Sequence, residues 1–107
     1  MINFLSNRIK YLKQTGNYPI AVLNALERKM LRTTSKTGYL PEYFIVYNDV
    51  SVASIKHTLQ ALYIDVKYVQ IYAPEGKDSP KKQIFISKYG YESVKYIYEF
   101  LNDYENL

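Results

Sequence analysis

The sequence predicts an α+β fold, mainly α with a small β-hairpin, and three observations carry that reading. Several segments space their apolar side chains at helical intervals. Two short runs rich in β-branched and aromatic residues, 66-VKYVQIY-72 and 83-QIFIS-87, flank the loop 73-APEGKDSPKK-82, which holds both Pro and Gly. Finally, 48% of the 107 residues are apolar, enough to build one core in a single domain spanning 1–107.

The elements follow in order. Residues 3–14 place Phe4, Leu5, Ile9 and Leu12 on one helical face, and Thr15-Gly16-Asn17 stops that helix with Gly16 as its C′ residue. Pro19 suits the first turn of a second helix, whose stripe is Ile20, Val22, Leu23, Leu26 and Met30. The small polar run 33-TTSKTG-38 reads as a loop. The next segment, 41-PEYFIVYND-49, is open between two readings. Pro41 suits the start of a helix, whereas Tyr, Phe, Ile and Val favour a strand. Asn48 or Asp49 can cap the helix that follows over 51–62, with Val52, Ile55, Leu59 and Leu62 toward the core. After the hairpin, Val94, Ile97, Tyr98 and Leu101 mark a closing helix from Tyr91 onward.

Composition narrows the function classes. There is no Cys, which excludes disulfides and Cys-zinc sites and fits a reducing compartment. No apolar run approaches the roughly 20 residues of a membrane span, and the charged start MINFLSNRIKYLK is not a signal peptide. The expectation is a cytoplasmic protein. Charge is uneven. Residues 1–40 carry seven Lys and Arg against Glu27 alone, while residues 41–107 carry seven Lys against nine acids. A basic half favours a polyanion, nucleic acid before membrane. The 13 tyrosines can fill a small core or a dimer seam, and they can also stack on bases.

With 41–48 helical, the element order is that of a winged helix-turn-helix with extra N- and C-terminal helices. The segment 50-VSVASIKHTLQAL-62 resembles the recognition helix of MarR-like regulators, in its Val-Ser opening, its aliphatic Ile55 and its Leu62. The segment 80-PKKQIFISKYG-90 resembles the end of the wing in PadR-like and MarR-like regulators, through Pro80, Lys81, Lys82, Ile84, Ile86, Ser87 and Gly90. The resemblance covers residues 50–101. It departs at Lys56-His57, where PadR-like chains usually carry Tyr-Pro, and at the wing tip, where no Arg follows Asp78.

That resemblance implies sequence-specific binding of double-stranded DNA by a transcriptional regulator, with the 51–62 helix in the major groove. Gln60 would read adenine, Lys56 guanine or a phosphate, and Ser51 and Ser54 phosphates, with His57 and Thr58 on the same exposed face. Lys77, Lys81 and Lys82 in the wing would meet the backbone, joined by Arg32, Arg28 and Lys29 at a helix end. The helices 3–14 and 91–104 would pair two subunits into a homodimer, setting two recognition helices about one DNA turn apart. The single His57 and the lack of ligand spacing predict no enzyme, no cofactor and no metal site. Two alternatives stand beside this. With 41–48 as a strand, the chain becomes a small protein-binding module, such as an inhibitor or accessory factor of a phage or plasmid, with a Tyr-rich interface. A winged-helix replication or plasmid-maintenance factor is the other.

Overall fold

A computed structural model describes residues 1–105 of the chain. Its helices are α1 (Ile2–Thr15), α2 (Ile20–Thr37), α3 (Val52–Ala61) and α4 (Lys88–Glu105). Its strands are β1 (Tyr43–Tyr47), β2 (Val69–Tyr72) and β3 (Lys81–Ile86), joined in one antiparallel sheet of order β1-β3-β2. The class is α+β, and the expected hairpin is two thirds of a three-stranded sheet.

The third strand is the segment that stood open. Phe44 and Val46 are buried, while Tyr43, Ile45 and Tyr47 between and around them face outward. In a helix, Phe44 and Val46 would point to opposite sides. In a strand, both reach the core. The period of two therefore outweighs Pro41, and the helix-turn-helix expected from 41–48 with 51–62 is not formed. β1 lies along β3, with Tyr43 opposite Phe85 and Tyr47 opposite Lys81.

A second correction falls on 33–38, where a loop was expected and α2 continues to Thr37. The Thr34 hydroxyl donates to the Met30 carbonyl (2.7 Å) and the Thr37 hydroxyl to that of Thr33 (2.8 Å). These hydroxyls bond back along the helix instead of opening it. Gly38, at φ 76°, ends α2 and donates its N–H to the Thr34 carbonyl. The expected strand 66–72 begins with a short 3₁₀ turn, Val66–Tyr68, capped by the Asp65 carboxylate on the Lys67 N–H.

The core gathers Leu5, Ile9 and Leu12 from α1, Leu23, Leu26 and Met30 from α2, Ile55 and Leu59 from α3, and Ile84 and Ile86 from β3. Full burial of each such side chain contributes about 1.5–3 kcal/mol. Leu5, Ile9 and Leu12 of the α1 stripe are thus used within their own subunit, and only the half-buried Phe4 of that stripe is left partly open. Ile20 and Val52, expected in the core, sit at the first residue of their helices and stay exposed. Arg8 on α1 donates through Nε to the Ala61 carbonyl (3.0 Å) at the end of α3, with its guanidinium 4.8 Å from the Tyr63 ring. A cation there satisfies an orphan carbonyl and complements the helix dipole.

Tyr91 fastens α4 to the start of β1. Its buried hydroxyl donates to the Pro41 carbonyl at 2.6 Å. Burial, aided by the nearby Glu42 charge, raises its ionisation well above the ordinary tyrosine range. Replacing it by Phe orphans the carbonyl, so urea denaturation of Tyr91→Phe should show a loss of about 1–2 kcal/mol. The folded state holds the phenol neutral, so its contribution is complete below the unfolded tyrosine pKa of about 10 and shrinks above it. The stability gap between wild type and Tyr91→Phe should accordingly narrow above about pH 10. A gap that stayed constant to higher pH would show that the phenol is not held neutral.

Candidate nucleic-acid interface

The sheet has two unlike faces. Phe44, Val46, Val69, Ile84 and Ile86 are buried toward the helices. The other face is open, and the strand register arranges it in rows. Tyr43, Phe85 and Gln70 lie abreast, then Ile45, Gln83 and Tyr72, then Tyr47 beside Lys81. Phe85 holds the rings together, 4.8 Å from Tyr43 and 5.6 Å from Tyr72 between centroids. Side-chain amides tie into the same surface. Gln83 Nε2 donates to the Tyr43 hydroxyl (3.3 Å), and the Tyr72 hydroxyl donates to Gln70 Oε1 (3.0 Å). Yet Tyr47 and Tyr72 remain 71% and 51% exposed, so these rings are accessible to a partner.

Along the β1 edge runs a groove formed with α2. Arg28, Lys29 and Arg32 line it from the helix, and Tyr43, Ile45 and Tyr47 from the strand. Among the described residues, no carboxylate lines it. Spacing on α2 explains the cations: Arg28 and Arg32 are four residues apart and share a face, while Leu26 and Met30 turn that helix into the core. Glu27, the acid among residues 1–40, is occupied elsewhere, 2.8 Å from Lys13 on α1. The pair adds little stability at a solvated surface, but it keeps that negative charge directed at α1.

The residues expected to touch DNA fall in different places. Arg32 lies in the groove and Lys81 on the open face. Lys77 is exposed in the loop 73–80 between β2 and β3. Lys56, His57 and Gln60 are exposed on α3, with the His57 ring 5.2 Å from Tyr18. Ser51 caps α3, its Oγ accepting from the Ser54 N–H at 3.1 Å, and Ser54 is half-buried. Two expectations are corrected. Thr58 is fully buried, its hydroxyl donating to the Ser54 carbonyl (2.8 Å), because it stands one position before Leu59 on the inward face. Lys82 is only 1% exposed and donates to the Ser79 carbonyl. Strand alternation turns it inward opposite Val46, while its neighbours Lys81 and Gln83 take the open side. The expected dimer helix 91–104 is divided. Tyr91 and Val94 are buried, whereas Tyr96, Phe100 and Tyr104 are widely exposed.

The open-face aromatics were missed by sequence reasoning. The signal was present in the alternation Tyr43-x-Ile45-x-Tyr47 and Gln83-x-Phe85, and became usable once both segments were strands.

The chain matches no protein-family model, no curated relative and no solved structure. Among the described residues, no three His, Cys, Asp or Glu side chains gather as a metal site. No described helix is long and apolar enough to cross a membrane.

The two lysines of the hairpin give a direct check on this placement. Lys82→Ala removes a buried stem and leaves the Ser79 carbonyl unsatisfied, and should cost about 2 kcal/mol in urea unfolding. Lys77→Ala, at an exposed loop position, should stay within about 0.5 kcal/mol of wild type. Equal effects would contradict the inward orientation of Lys82.

Proposed function

We propose that the protein binds nucleic acid through the groove between α2 and β1 and the open sheet face beside it. The observation that carries this reading is the set Arg28, Lys29 and Arg32 in a groove that no described carboxylate lines, opening onto a face that offers Lys81, Gln70 and Gln83 among aromatic rings. Phosphates placed in the groove would release counterions, and that release drives association. Arginine suits phosphate because its planar fork can hold two oxygens at once. Gln70 and Gln83 have the amide chemistry to pair with adenine, and Lys81 that to approach guanine.

A second reading is favoured by the strand order and by the hairpin that follows α3. In it the chain is winged-helix-like and acts as a duplex-specific regulator of transcription. Lys56, His57 and Gln60 on α3 would then meet base edges, and Lys77 on the loop 73–80 the backbone. Two copies would pair through the exposed end of α4, and sedimentation of the free protein would report the dimer.

One titration separates the two. Labelled duplex of random sequence should bind at low salt and weaken steeply as salt rises. The triple variant Arg28→Ala, Lys29→Ala, Arg32→Ala should bind at least tenfold more weakly. It should also flatten the slope of log affinity against log salt by about 0.9 for each phosphate that is no longer neutralised. Replacing Lys56, His57 and Gln60 by Ala should change little under the first reading and abolish binding under the second. Absence of binding even at low salt, to duplex and to single strands alike, would sink both and point to a protein partner.

A further inference from the structure

The aromatic surface does not end at the groove. Beyond Phe85 and Gln70, a second concavity carries Lys67, Tyr68 and Ser87, with Glu42 as the one carboxylate among its described residues. Tyr68 packs on Tyr89 with centroids 5.7 Å apart. Lys67 Nζ lies 5.7 Å from the Tyr68 ring and Lys88 Nζ lies 5.4 Å from that of Tyr89. A belt of rings therefore crosses the sheet from Tyr47 and Tyr43, through Phe85 and Tyr72, to Tyr68 and Tyr89. Cations bracket it at both ends: Arg28, Lys29 and Arg32 at one, Lys67 and Lys88 at the other.

We infer that this belt takes an unpaired nucleic-acid strand in preference to a duplex, stacking bases on Phe85, Tyr72 and Tyr68 while the two cation groups hold the backbone. The inference rests on the nucleic-acid reading above and names the form of the ligand. Two arguments lead to it. Phe85 has no hydrogen-bonding group, so it cannot pair with the donors and acceptors of a base edge, yet it stands 39% exposed at the centre of the face. What a ring offers is a π-face, and every base has one, but a duplex keeps those faces stacked on each other. The charge pattern also fits a single strand better. Bases need an apolar track and phosphates need cations along its margins, and the face supplies an aromatic middle with basic ends.

The test is fluorescence anisotropy with the intact protein and three probes of equal length: oligo(dT), oligo(U) and a mixed-sequence DNA duplex. At one low salt concentration, at least one single strand should bind about tenfold or more tightly than the duplex. Phe85→Ala and Tyr72→Ala should each weaken single-strand binding by about fivefold or more. Tyr72→Phe should retain it, because stacking needs the ring and not the hydroxyl. Both positions are on the open face, and a urea midpoint near that of wild type will show that the variants fold. Preference for oligo(dT) or for oligo(U) supports the inference equally and identifies the strand as DNA or RNA. Duplex binding as tight as single-strand binding, with Phe85→Ala without effect, overturns the inference and leaves the cationic groove as a general phosphate site. Binding to none of the three overturns both.

Discussion

The pairing of β1 with β3 is the constraint on which the rest of this molecule depends. A hairpin of β2 and β3 alone would be marginal in water, and the third strand supplies the width that lets the helices cover one face. The same ladder decides which side chains face the solvent. With Tyr43 opposite Phe85 and Tyr47 opposite Lys81, those three rings gather on one side while Phe44, Val46, Ile84 and Ile86 gather on the other. A slip of one residue in β1 would exchange the two sets, putting three outward side chains in the core and two core side chains in water. The hydrophobic cost of that exchange fixes the register, and the register fixes the candidate site.

Electrostatics add selectivity to that frame more than stability. The groove beside β1 gathers charge of one sign because α2 spends its apolar face on the core and its remaining face on Arg28, Lys29 and Arg32. Such a cluster repels itself and offers little to folding. It lies next to an uncovered aromatic surface, and the proposed anionic, flat-ringed partner would use both.

Helices α1, α2, α3 and α4 and the hairpin were legible in the sequence because each is specified by nearby residues: apolar spacing, Gly16 and Pro19 as punctuation, the Pro and Gly of 73–82. The state of 41–48 was not legible. Its period of two competes with a good helix start at Pro41, and what settles it is β3, far along the chain. The run 33–38 misled because Thr34 and Thr37 look like loop residues until their hydroxyls find carbonyls one turn back. Lys82 misled for the opposite reason: a charged residue in a turn-like context takes the inward phase of a strand. The candidate site itself had no local motif to find. Its rings come from three strands, the 3₁₀ turn and α4, and its cations from α2 and from the residues flanking the hairpin, so only their convergence in space makes them one surface.

The central place of β3 has a kinetic corollary. The hairpin of β2 and β3 closes over a short loop, whereas β1 must return to β3 across the whole of α3 and the turn that follows. Non-local pairing of that kind is entropically late in folding, since the loop has to be closed before its contacts reward it. Loop closure therefore predicts that β1 docks onto a hairpin already made, so that the aromatic face is assembled in a different order from the one in which it is encoded. A nascent chain that has β1 without β3 carries an unpaired strand edge and an uncovered Phe44 and Val46, both of which favour aggregation.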